Sequence, residues 1–355
     1  MRTRIFLPGA ALAVTLLAGC TTGADETAGP PASAPPPEPV TGASRPAGPT
    51  EAVVAAADAF LATLSPQQQD TVLYDAADPA VRQWSNLPVG SGGRNGVQFG
   101  DLTDEQRAAA LRVAEAMLSA DGYAELQGVI AAGDVLNARS GGNSSFSSDR
   151  YFIAFFGRPS TTARFTVQIG GHHLAVTTTY EDGRVGPTPA FTGVDPRFFE
   201  VAGAQVAPLR DEANAVFGLL GSLDADDRAA ARIDGVYDDI LVGAGNDGEF
   251  PPAAGVLVTD LPPARRDRVT TAIRAWVGDT DERAAELLMD RYRAEYGRTR
   301  IAWGGSIEPD TAGAYLRIDG PRLWIEFSNQ GRTGNGDAVH YHSVYRDKQS
   351  DYASA

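Results

Sequence analysis

Cysteine occurs once in 355 residues, histidine four times and methionine three times. A single thiol excludes an intrachain disulfide framework, a cysteine-based zinc site and a cysteine-ligated iron–sulfur cluster. Cationic residues are also short: 30 Lys and Arg stand against 45 Asp and Glu, a formal charge of -15. A surface of that sign repels a phosphate backbone, so nucleic acid is not an expected partner. The G-x-S-x-G, H-E-x-x-H and S-x-x-K elements are missing, and with them the hydrolase recipes that a short motif can carry. Beyond the N-terminus no apolar run is long enough to cross a bilayer as a helix.

The apolar stretch that does exist is Ile5–Leu17, preceded by Arg2 and Arg4. It falls short of the roughly 20 residues that span a membrane and has the layout of a secretion signal. It ends Leu17-Ala18-Gly19-Cys20, which resembles the lipobox of bacterial lipoproteins. That resemblance implies cleavage before Cys20, lipid attachment to its sulfur, and an extracytoplasmic protein anchored to a bacterial membrane. Residues 21–50, rich in Ala, Pro, Gly, Ser and Thr (Pro30-Pro31, Pro35-Pro36-Pro37), cannot bury a core and read as a disordered, semi-extended tether.

From Glu51 the composition is globular, and the chain reads as two similar α+β halves, 51–200 and 201–352. Ala52–Leu64 has helical spacing. Thr103 is a helix cap followed by Asp104 and Glu105, and Leu111, Ala114, Met117 and Leu118 share a face. Asp121-Gly122 reads as a break and Tyr123–Leu136 as a further helix. The period then changes to 2, predicting strands at Tyr151–Phe156, Ala163–Ile169 and His172–Tyr180, with turns at Gly157-Arg158-Pro159 and Gly170-Gly171. The order recurs. Phe217–Leu223 echoes Phe60–Ser65, Leu261–Arg266 echoes Leu102–Arg107, and Arg300–Gly304 echoes Phe152–Gly157. Tyr315–Ile318 and Leu323–Phe327 echo Phe165–Gln168 and Leu174–Val176. An internal duplication follows, with helical pairs packed on antiparallel strands in each half, merged around a pseudo-twofold axis, and a ligand cleft expected between the halves.

All four histidines fall in two clusters, His172-His173 and His340-Tyr341-His342. On a strand, positions i and i+2 share a face, so His340 and His342 present two imidazoles at a spacing that suits one transition metal. His172 and His173 would point to opposite faces, which leaves His173 as the accessible partner and His172 as the alternate. In Leu323–Ser328 the apolar face is Leu323, Ile325 and Phe327, and Trp324, Glu326 and Ser328 lie on the other. A Glu there is edge-exposed or paired with a cation or metal. A set of His173, His340, His342 and Glu326 would suit one zinc, iron or manganese ion. The competing expectation is that these are hydrogen-bonded strand residues, with Arg346-Asp347 a neighbouring ion pair. Gly243–Gly248 satisfies G-x-G-x-x-G without a surrounding βαβ unit and is expected to be a loop. Asp238-Asp239 and Asn246–Glu249 lack the calcium-loop spacing, and Asn143-Ser144-Ser145 fits a glycosylation acceptor.

Several ordered segments resemble the family called domain of unknown function 3500. They are Leu102–Arg107, Leu118–Tyr123, Gly170–Leu174, Thr188–Gly193 and His340–Asp347, and the likeness covers most of Val53–Tyr352. The resemblance implies an extent but no activity. Two functions remain in play. One is a metal-dependent enzyme, with hydrolysis by a metal-activated water first and non-haem oxidation second. The other is a non-catalytic module that binds a small-molecule or cell-surface ligand, with Trp303, Trp324 and Tyr341 as its contact platform.

Overall fold

The structure, a computed structural model, describes residues 48–91, 93–142, 144–332 and 336–353. The signal segment 1–20, Cys20, the tether up to residue 47 and Asn143 lie outside the described residues. Among those described, no helix is long and apolar enough to cross a membrane.

The chain begins with α1 (Pro49–Thr63), α2 (Pro66–Val72) and β1 (Leu73–Tyr74). An irregular stretch then leads to β2 (Val97–Gln98), α3 (Asp104–Met117) and α4 (Ala120–Arg139). A strand meander follows: β3 (Phe152–Phe156), β4 (Phe165–Gly171), β5 (Leu174–Glu181), β6 (Arg184–Gly186) and β7 (Ala190–Val194). After the hairpin β8 (Phe199–Val201) and β9 (Ala204–Val206) come α5 (Arg210–Ser222), α6 (Ala225–Ala231), a second irregular stretch and β10 (Val256–Leu257). The chain closes with α7 (Pro263–Val277), α8 (Glu282–Ala294), β11 (Arg300–Gly305), β12 (Ala314–Asp319), β13 (Leu323–Gly331) and β14 (Val339–Asp347).

One mixed sheet unites these strands in the order β1-β3-β4-β5-β7-β14-β13-β12-β11-β10, with β2 on β3 and β6 on β5. The β1–β3 pair is parallel and the remaining ladders are antiparallel. The α+β class is therefore as expected. At its centre β7 and β14 pair antiparallel, with Gly193 opposite His342 and Thr192 opposite Ser343.

Strand alternation sorts side chains to two differently covered faces. Leu323, Ile325, Phe327, Tyr341 and Tyr345 join the helices in the main core. Each large apolar side chain buried there contributes about 1.5–3 kcal/mol. The opposite face is closed by the two irregular stretches: Val81 and Trp84 from the first, and Ile240, Val242, Ala244 and Phe250 from the second, pack on Phe191, Trp324 and Val344. Both faces are covered, so β4, β12 and β14 are buried along their whole lengths. Gly243–Gly248 belongs to the second stretch and is a loop, as expected.

Helix starts follow side-chain caps. Thr103 and Gln106 form a reciprocal capping box at α3, as Ser65 and Gln68 do at α2. Asp121-Gly122 is not a break: the Ser119 hydroxyl accepts from the Gly122 amide at 3.1 Å, so both residues sit in the first turn of α4. Gly170-Gly171 is not a turn either. Both close β4, and a Cβ at Gly171 would meet the Tyr151 ring at 2.5 Å, so this glycine serves close approach. The turn falls on His172-His173, and the strand after it starts at Leu174.

Candidate metal centre

His340 and His342 are, as period 2 requires, on one face of β14, and they are 1% and 5% exposed. Their rings meet edge-on with centroids 5.0 Å apart. The Nδ1 of His342 lies 2.9 Å from Oδ1 of Asp239, and its Nε2 is buried with no hydrogen-bond partner. A carboxylate on Nδ1 places the proton there and leaves the Nε2 lone pair free, as in a metal-binding imidazole. His340 shows the mirror arrangement: its Nδ1 is buried and unpartnered, while a backbone hydrogen bond with Gly331 holds the ring.

His173 arrives from the β4–β5 turn in the left-handed region, at φ 61. A non-glycine residue there is strained by about 1–2 kcal/mol and needs fixing. Its amide donates to the Asn86 carbonyl at 3.0 Å, and its carbonyl accepts from the Gly193 amide at 2.8 Å. The turn aims the ring at β14, with centroids 5.4 Å from His340 and 5.0 Å from His342. One ring nitrogen from each of His173, His340 and His342 lies within 4.8 Å of the others. A tetrahedral zinc with bonds of about 2.1 Å needs these nitrogens about 3.4 Å apart, so small side-chain rotations close the site.

His172 does not oppose His173. Both sit in the turn, their rings stack at 3.8 Å, and Phe146 covers the far side of His172 at 4.8 Å. Both are buried, at 6% and 7% exposure, so the expected contrast of a core His172 and an accessible His173 is absent. Gly193 separates two of the clustered rings: a Cβ there would lie 2.9 Å from Cδ2 of His342 and 3.3 Å from Cδ2 of His173. Burial, reinforced by neighbouring imidazoles, lowers His172, His173 and His340. His172 falls to about 3, His340 to about 4, and His173 well below the ordinary histidine value.

Glu326 has a different place. Its Oε1 accepts from the Leu241 amide at 2.7 Å and the Tyr315 hydroxyl at 2.6 Å. Its Oε2 accepts from the Val242 amide at 2.9 Å and Trp324 Nε1 at 2.8 Å. The carboxylate is fully buried and paired with neutral donors, neither edge-exposed nor matched to a cation, and it clamps the second irregular stretch to the sheet. Arg346 and Asp347 point to opposite faces and do not pair with each other. Arg346 binds Asp247 at 2.6 Å and Asp351 at 3.3 Å, and Asp347 accepts the Gln349 and Ser350 amides. Trp303, Trp324 and Tyr341 are 7%, 0% and 4% exposed and lie within the molecule rather than on an outer platform.

Two carboxylates of this region were not legible as site residues. Asp239 was visible only as half of an acidic pair. Asp195, directly after β7, is 1% exposed and within electrostatic reach of His342; Oδ1 accepts the Asp337 amide and Oδ2 has no partner.

The sequence profile of a family described as "Protein of unknown function (DUF3500)" matches residues 46–354. No curated protein and no solved structure matches the chain.

Proposed function

The chain belongs to the DUF3500 family of proteins of unknown function, and from its own residues we propose a metal-dependent hydrolase, lipid-anchored outside the cytoplasm. The observation that carries the proposal is the meeting of His173 with His340 and His342, with two buried nitrogens left unpartnered and one imidazole oriented by Asp239. Unpartnered buried nitrogens are uncommon, and a bound metal is the economical explanation for a converging pair of them. Three imidazoles without a ligating carboxylate suit zinc first and iron or manganese after it. Bound there, such an ion would supply hydroxide at neutral pH by lowering the pKa of a water to about 7. Asp239 keeps the His342 proton on Nδ1, and Asp195 is the candidate acceptor for the proton of that water.

The site would lie at the seam of two duplicated halves. The order helix, short helix, irregular stretch, edge strand, helix pair and strand meander occurs first over residues 49–194 and again over 210–347. The last strands of the two runs, β7 and β14, meet in the centre of the sheet. Each half then contributes differently: the first gives His173 from a hairpin turn, the second His340 and His342 from its last strand.

Protein purified without a metal-affinity tag should contain close to one equivalent of metal by elemental analysis, and chelator should abolish its turnover of 4-nitrophenyl acetate. His340→Ala and His342→Ala should each lose the metal; full metal content in both removes these residues from the site. Anchoring has its own test, in which Cys20→Ala releases the chain or leaves it unprocessed. Unchanged membrane retention of that variant counts against the lipid anchor.

A further inference from the structure

The helix-facing side of the same central strands carries a second cluster. Glu125 projects from α4, Glu212 from α5, and Asp279 follows α7; one carboxylate oxygen from each lies within 4.8 Å of the others. Glu125 and Glu212 are 8% and 2% exposed. Burial raises all three carboxyl groups, Glu212 to about 7, and the charged neighbours acting on them are Asp121, Asp211 and one another.

An independent feature adjoins two of them. Thr178 and Thr280, 1% and 3% exposed, line a cavity of about 40 Å³ together with Glu125 and Asp279. Neither threonine hydroxyl has a hydrogen-bond partner, and neither does Oε2 of Glu212. A buried hydroxyl left without a partner destabilises by about 1–3 kcal/mol, so a polar occupant is expected. One water needs roughly 10–15 Å³ by this kind of measure, which leaves room for an ion and a water.

We infer that Glu125, Glu212 and Asp279, with the hydroxyls of Thr178 and Thr280, form a site for a hard divalent cation, calcium fitting best. The donor set is all oxygen, the chemistry that calcium and magnesium select. Calcium–oxygen bonds of about 2.4 Å hold three equally spaced donors about 4.2 Å apart, so oxygens that all lie within 4.8 Å of one another need little movement to share one ion. Magnesium, at about 2.1 Å, demands a tighter and more regular shell, so the longer and more adaptable calcium bonds suit the cluster better. The site is separate from the histidine centre, being built from other residues on the other face of β7 and β14.

Trp276 also lines the cavity, which gives a direct probe. The chelator-treated full chain, titrated with terbium(III) under tryptophan excitation, should show sensitised emission that calcium displaces, and calcium should raise its Tm. Glu212→Gln and Asp279→Asn should each weaken terbium binding at least tenfold while keeping the metal content of the histidine centre. The double variant His340→Ala, His342→Ala should keep the terbium signal. Should Glu212→Gln fail to fold, Asp279→Asn, at the more exposed position, carries the test. Absence of both emission and calcium-dependent Tm, or unaltered terbium affinity in Asp279→Asn, overturns the proposal and leaves a carboxylate cluster that only shares protons.

Discussion

The two faces of the β7–β14 pair answer burial in opposite ways. On one, Gly193 and His342 lie against His173; on the other, the Thr192 and Ser343 hydroxyls sit 3.0 Å apart beneath Trp276, whose Nε1 donates to Ser343 at 3.1 Å. Desolvation disfavours the charged form of any group, so imidazoles lose their proton and carboxyls keep theirs. His173 and His340 are therefore held as neutral donors in a dry pocket, where a lone pair costs no charge to bury. Three carboxyls in an equally dry pocket need protons or a cation. The scaffolding differs as well. A strand and a tight turn fix the histidines at backbone spacing, whereas the acids come from two helices and the turn after a third, whose packing sets their separation.

The largest effect that separates a structural carboxylate from a ligating one is expected at Glu326. In Glu326→Gln one oxygen becomes an amide nitrogen facing two hydrogen-bond donors, from the pairs Leu241 amide with Tyr315 hydroxyl or Val242 amide with Trp324 Nε1. Two buried donors without an acceptor, and a lost charge, should destabilise the protein by about 3 kcal/mol, read as a lower urea midpoint. Metal content should stay intact. A variant that is stable but metal-free would instead return Glu326 to the coordination sphere.

Gly193→Ala is the next largest. The added methyl would stand 2.9 Å from the Tyr341 carbonyl oxygen as well as from Cδ2 of His342, and the backbone oxygen cannot swing aside. Overpacking of this kind destabilises by about 2 kcal/mol. Because the methyl wedges between two rings of the proposed centre, zinc affinity measured against a chromophoric chelator should also fall at least tenfold. Terbium emission from the carboxylate face should be unchanged at saturation. Equal losses on both faces would mean that the two sites are one cooperative unit.

The legible parts of this arrangement are those set by local periodicity. His340 and His342 share a face because strands alternate, and Trp324, Glu326 and Ser328 fall opposite Leu323, Ile325 and Phe327 for the same reason. What sequence could not supply was the backbone of His173: its positive φ brings the ring round to β14 and stacks it on His172, where an extended strand would have sent the two apart. Glu326 departs from its expected role because it accepts from Leu241 and Val242, residues of an irregular stretch with no periodic signal. The acids of the second site did leave a trace. Glu212 sits on the same stripe of α5 as Ala213, Val216, Leu219 and Leu220, and an acid on a buried stripe is a cue to ask what neutralises it.

Asp239→Asn should have the smallest effect and discriminates most finely between the faces. Its carboxylate accepts from Nδ1 of His342, yet its side chain is 45% exposed, so little stability depends on it. The replacement amide oxygen can still accept that hydrogen bond, but without the charge that makes the ring a better donor to a metal. Removing such an outer partner typically weakens metal binding by about 10–100-fold, and retention of the hydrogen bond places the expected loss near the lower end. Zinc affinity should therefore drop about tenfold with Tm almost unmoved, and Asp239→Ala should fall further because the imidazole is then free to change tautomer. Affinity equal to the parent in both variants would show that the second irregular stretch merely covers the histidines, whereas a graded loss would make it part of the centre.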